Sequence, residues 1–162
     1  AEDLINGDNL KTNYRTPLND NAQDFTTRGY GDNKTGHMVD DEIHGTHVAG
    51  IVGAVRNNSI GMNGVADNVK IMAVRAVPDG DEYDKDVALA IRYAVDNGAK
   101  VINASFGKSY SPNKQWVYDA IKYAAEKDVL IVHAAGNSGE NIDVERNYPN
   151  DSDDLIDRKS VV

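Results

Sequence analysis

Between residues 69 and 135 the chain alternates short apolar runs with helix-length amphipathic ones, and this alternation restricts the fold more than any other feature. Residues 69–77 (VKIMAVRAV) read as a strand. Residues 84–97 read as a helix with Val87, Ile91, Ala94 and Val95 on one face and Gly98 as its stop. Residues 100–106 (KVINASF) form a second strand and residues 113–127 a second helix, with Trp116, Val117, Ala120, Ile121 and Ala124 at helical spacing. Residues 129–135 (VLIVHAA) form a third strand. Strands separated by helices of this length are joined by right-handed crossovers, which generate a parallel sheet. The expected class is therefore α/β, three-layered, with a mostly parallel sheet and helices on both faces. Sites in such sheets gather beyond the carboxyl ends of the strands. Ser105-Phe106-Gly107 and Gly136-Asn137-Ser138-Gly139 fall there.

The flanks have a different texture. Residues 1–42 are polar and rich in Asn, Asp, Gly and Thr, with isolated apolar anchors such as Tyr14, Leu18, Phe25 and Tyr30. They read as an irregular, loop-rich leading segment, an excursion belonging to a larger fold. Residues 44–57 are small and apolar on every side, which predicts a buried helix at the centre of the domain. The expected organisation is one partial domain over residues 1–162, with the leading segment at 1–42, an α/β core at 43–150 and an acidic tail at 151–162.

Composition removes several functions. The 162 residues hold 17 Lys and Arg against 26 Asp and Glu, a formal net charge of -9. Nucleic acid needs a concentrated basic face, and no Lys/Arg run here exceeds Arg158-Lys159, so no nucleic-acid partner is expected. No window approaches the roughly 18 to 20 apolar residues of a membrane span. There is no cysteine, which excludes disulfides, thiolate catalysis and Cys-ligated zinc. The first ten residues lack a basic start and an apolar stretch, so no signal peptide is expected within the chain.

The sharpest chemical signal is His44-Gly45-Thr46-His47-Val48-Ala49-Gly50. Taken alone it places His44 at the mouth of a helix, where glycine allows a substrate or another backbone to come close. Two histidines three apart are also compatible with a metal site or a structural pair. A third ligand at fitting spacing is not evident, and the HExxH pattern is missing.

The HGTHVAG run resembles the histidine motif of the subtilisin-like serine peptidases, the subtilases or S8 family. Three further segments follow in the order that family requires. Residues 57–66 (NNSIGMNGVA) resemble its calcium-loop stretch, residues 103–107 (NASFG) its substrate-binding strand, and residues 134–139 (AAGNSG) its oxyanion-hole motif. The resemblance implies a subtilisin-like fold, incomplete here, and a secreted, periplasmic or cell-surface peptidase acting on protein or peptide substrates. It implies that His44 is the general base and then acid of an Asp-His-Ser triad, and that Asn137 donates to the developing oxyanion. His47 matches a structural histidine.

The same resemblance implies that Ser105, Phe106 and Gly107 pair with an extended substrate, as do Gly80, Asp81 and Glu82 on the other side. Ala134, Ala135 and Gly136 would line the primary specificity pocket. Asp81, Glu82 and Asp84 crowd the non-primed side, which suggests a preference for basic residues there. Calcium would be held by the Asn58 side chain and the carbonyls of Arg56, Ile60 and Met62. The segment leading to Asn57 is one residue longer than in the commonest family form. The chemistry itself needs no cofactor.

Two family motifs are missing from this sequence: the triad aspartate in an Asp-Ser/Thr-Gly setting and the serine in Gly-Thr-Ser-x-Ala. This chain by itself is therefore expected to hydrolyse nothing. The alternative is a noncatalytic, peptide-binding relative, which has no need of a base and an oxyanion donor. A parallel sheet lacking neighbouring strands exposes an apolar edge, so self-association of the chain is also expected.

Overall fold

The computed structural model of the protein describes residues 15, 18–37, 40, 42–77, 82–141 and 144–149. The chain divides into two compact units, Ala1–Lys34 and Thr35–Val162. The described part of the first unit holds no helix or strand element. Its order comes from short polar side chains that accept backbone N–H groups two residues on, as Asn21 does for Gln23 and Asp24 for Thr26. Arg15 and Asp20 form a buried ion pair at 2.5 Å, and the Arg15 guanidinium lies over the Tyr30 ring.

The second unit carries the regular structure in the order α1 (His44–Gly53), α2 (Asp84–Asp96), β1 (Val101–Ala104), α3 (Lys114–Glu126) and β2 (Leu130–His133). Strands β1 and β2 are parallel, with Val101 opposite Leu130 and Ala104 opposite His133. A parallel pair cannot be joined by a hairpin, and α3 is the crossover between them. The α/β class read from the sequence is therefore present as a two-stranded parallel sheet with its helices.

Helix α2 has the acidic Asp84 and Asp86 in its first turn, where they complement the exposed N–H groups. It ends at Gly98, whose φ of +87° is accessible to glycine at little cost. The core lies where α2 meets α3 and α3 meets β2. Val87, Ala88, Ile91, Ala94 and Val95 are buried on α2, Val117, Ala120 and Ala124 on α3, and Ala104, Val129 and Ile131 at the sheet. All four α2 positions anticipated from helical spacing are among them. On α3, Trp116 and Ile121 are only partly buried. A cross-link closes the rim of the helix pair: the Tyr123 hydroxyl donates to Asp96 Oδ1 at 2.6 Å. That bond holds the phenol pKa above its ordinary value.

Ala88, Ala120 and Ala124 have no accessible surface, so the two helices approach closely along an alanine seam. Ala88→Leu is expected to destabilise the fold by about 1–3 kcal/mol, because the added methylenes have no space to occupy. Urea unfolding checks this; an unchanged midpoint would mean that the seam has slack.

Two expectations are corrected. Helix α1 forms but has no buried residue, with Ile51 and, just beyond the helix, Val55 exposed at 42% and 70%. Residues 69–77 form no strand, and Val69, Ile71, Met72 and Val74 are exposed. The physical reason is shared. A strand needs a ladder partner and an all-apolar helix needs cover on every side, and the described residues supply neither. What remains is local: residues 69–71 lie against the end of α1, where a Cβ on Gly53 would stand 3.0 Å from Val69 Cγ2. Arg75 also pairs with Glu42, just before α1. No helix among the described residues is long and apolar enough to cross a membrane. The acidic tail at 151–162 lies outside the described residues.

Candidate active site

The parallel register brings two of the anticipated segments together. Beyond the Ala104–His133 pair, the Ala134 amide donates to the Ala104 carbonyl at 3.3 Å, so the ladder continues one step past the named strands. Ser105-Phe106-Gly107 and Ala134-Ala135-Gly136-Asn137 therefore leave the same carboxyl end side by side. Asn137 is exposed there, with positive φ at Gly136 (96°) and at Gly139 (70°) shaping its turn. Ala134, Ala135, Gly136 and Gly107 are exposed, and Ser105 and Phe106 are half-buried.

A residue the sequence reading missed joins the two loops. A Cβ on Gly107 would stand 2.6 Å from Asn147 Oδ1, and one on Gly136 would stand 3.4 Å from Asn147 Nδ2. The Asn147 amide thus fills the space between residues 105–107 and the Asn137 loop. Its neighbour Tyr148 pairs with Lys108 through both backbone groups, at 3.0 and 2.7 Å. No local pattern in the sequence announces this pairing, because the partners are separated by α3 and β2.

His44 is the first residue of α1 and is exposed, as is His47. A side chain at a helix start projects away from the helix body, which leaves the imidazole accessible. Among the described residues, no hydrogen bond or ion pair connects His44 with Asn137 or with residues 105–107. Glu82 lies just ahead of α2, whereas Gly80 and Asp81 fall outside the described residues.

The anticipated basic preference on that side meets an obstacle. The Asp84 carboxylate is already engaged: it accepts from Ser111 Oγ at 2.7 Å and from the Asn113 amide at 2.8 Å, and it pairs with Lys108 Nζ at 2.7 Å. The Lys108 ammonium also donates to the Glu82 carbonyl at 2.5 Å. Glu82, Asp84, Lys108 and Ser111 line one pocket together with Phe106, Val117 and Tyr148.

The loop after α1 is closed by its own groups. Val65 and Ala66 amides donate back to the Ile51 and Val52 carbonyls, at 2.9 and 2.8 Å. Gly64 passes so close to the end of α1 that a Cβ there would collide with the Ala54 nitrogen. Arg56 Nη1 donates to the Gly64 carbonyl at 2.9 Å, and the Asn57 amide donates to Asn63 Oδ1 at 2.9 Å. Asn58 Oδ1 accepts from the Ile60 amide at 3.0 Å. The anticipated calcium donors, Arg56, Asn58, Ile60 and Met62, all lie in this exposed loop and are all oxygen donors without charge. Among the described residues, no cluster of three or more His, Cys, Asp or Glu is placed to hold a metal.

Parallel strands linked through a crossover helix, with paired loops at their carboxyl ends, define an α/β fold whose site lies at the strand ends. The sequence profile of the subtilase family matches residues 5–157. The chain is 46% identical over 97 residues to the thermophilic serine proteinase of Bacillus sp. (strain AK1), covering 59% of this chain and 24% of that protein. It is 42% identical over 133 residues to the cell wall-associated protease of Bacillus subtilis (strain 168), covering 82% and 14%. It is 43% identical over 107 residues to thermitase of Thermoactinomyces vulgaris, covering 65% and 37%. The matched stretch is thus well under half of each of these relatives. The chain belongs to the subtilase family.

Proposed function

We propose that this chain is part of a serine endopeptidase that hydrolyses peptide bonds of protein substrates through an Asp-His-Ser triad. The observation that carries the reading is the adjacency of residues 105–107 and 134–137 at one end of the parallel pair. One segment offers backbone to an extended peptide, and the other offers a side-chain amide beside it. His44 takes the proton of the nucleophilic serine as that oxygen attacks the scissile carbonyl, and then delivers it to the leaving amine. Asn137 donates to the carbonyl oxygen as it gains negative charge. Ala134, Ala135 and Gly136 line the primary pocket, and residues 80–82 form the second edge along the peptide.

The triad aspartate and serine motifs are missing from this sequence, so the chain in isolation hydrolyses nothing. A serine-directed fluorophosphonate probe should label the complete protein and leave this chain unlabelled. Labelling of this chain would overturn the reading, and a complete protein that resists the probe would point to a noncatalytic, peptide-binding relative. The relative named as cell wall-associated supports a secreted or cell-surface location. Calcium, when bound, would be held by Asn58 and the carbonyls of Arg56, Ile60 and Met62, where it would tie the loop to α1; no step of the chemistry needs it.

Ile51, Val55, Val69 and Ile71 are each exposed and leave apolar surface in water. The isolated chain is expected to self-associate through it, and light scattering that finds a stable monomer at high concentration would refute this.

A further inference from the structure

Lys108 follows directly on the substrate-strand segment, and its backbone is fixed on both sides by Tyr148. Its side chain spans to the opposite element. There the ammonium contacts the Glu82 carbonyl at 2.5 Å and the Asp84 carboxylate at 2.7 Å. Asp84 is in turn held by Ser111 and Asn113, and its side chain is only 3% exposed. One residue therefore connects the two edges between which the peptide is proposed to lie, Glu82 on one side and residues 105–107 on the other.

We propose that Lys108 and Asp84 are a positioning pair that sets the separation of these two edges, an inference that rests on the peptidase reading above. A peptide laid as a strand between two backbones needs them about two interstrand spacings apart, roughly 9.5 Å. Hydrogen bonds to both sides survive only small departures from that distance. A buried ion pair contributes little stability compared with apolar residues of similar volume, and its contribution here is fixed geometry. The pair acts on peptides long enough to reach the groove between Glu82 and Phe106. It does not touch the reacting carbonyl.

The test compares kcat/KM of the complete peptidase on two peptides, one with four residues on the acyl side of the scissile bond and one with a single residue there. Lys108→Met should lower the ratio of long to short by about tenfold, a loss typical of displaced positioning groups. Lys108→Arg should restore part of it. Because Lys108→Met leaves a buried carboxylate without its cation, the double variant Asp84→Asn/Lys108→Met removes both charges while keeping an amide oxygen to accept from the Asn113 N–H and an amide NH2 to donate to Ser111 Oγ. It should show the same loss of ratio as Lys108→Met alone, the non-additivity expected of a coupled pair. A general loss of folded protein lowers both peptides alike, so equal losses, or an unchanged ratio, overturn the proposal. If the unsubstituted protein cleaves neither peptide, the peptidase reading falls and the proposal with it.

Discussion

Replacing His44 with alanine in the complete peptidase is expected to lower kcat by about a million-fold, the magnitude measured for the corresponding loss in subtilisin itself. The size follows from the role. Without a base the serine hydroxyl keeps its proton during attack, and the leaving amine receives none, so both halves of the reaction fail together. KM should change little, because the imidazole contributes to the transition state rather than to binding of the peptide backbone. Steady-state kinetics on a chromogenic peptide read both quantities. A loss of only a few-fold would remove His44 from the reaction and return it to the structural or metal-binding alternatives that its motif also allows.

Asn137→Leu is expected to cost about 10²–10³ in kcat, again the scale known from subtilisin. Leucine has the same number and branching of side-chain heavy atoms as asparagine, and position 137 is exposed, so the turn between Gly136 and Gly139 should keep its shape while losing its donor. The two variants separate by chemistry as well as by size. With His44 retained, the Asn137→Leu enzyme should still react with a fluorophosphonate, more slowly, whereas the His44→Ala enzyme should barely react. Full activity in Asn137→Leu would leave the oxyanion without its proposed side-chain donor.

The elements at 84–135 were legible because each carries its own evidence. Val87, Ile91, Ala94 and Val95 recur at the period of a helix and are buried where that period puts them. The strands at 101–104 and 130–133 fall inside the runs that predicted them, shorter by the residues that turn into the site loops. The exposure of helix α1, which forms as expected, and the lack of a strand at residues 69–77 were not legible, for the opposite reason. Apolar side chains announce that burial would be favourable and say nothing about which residues supply the cover.

The site divides in the same way. Residues 105–107 and 134–137 could be placed beside each other because parallel strands must deliver their following loops to one end. The contacts of Asp84 with Lys108 and of Asn147 with Gly107 and Gly136 could not. They join positions far apart in the chain, and nothing in the local spacing of any of them encodes a partner. Asp84 shows the consequence most clearly. As text it added to an acidic cluster, and in the fold its charge is already answered by Lys108.

The alanine seam of α2 and α3 has one more implication. Ala88, Ala120 and Ala124 make these two helices the most tightly apposed pair among the described elements, while α1 and residues 69–77 sit largely in water. Cooperative opening is least frequent where packing is densest. The backbone amides that trade their protons for deuterons last should therefore sit on this pair. The histidine-bearing helix should trade early, so that the helix pair outlasts the element carrying His44.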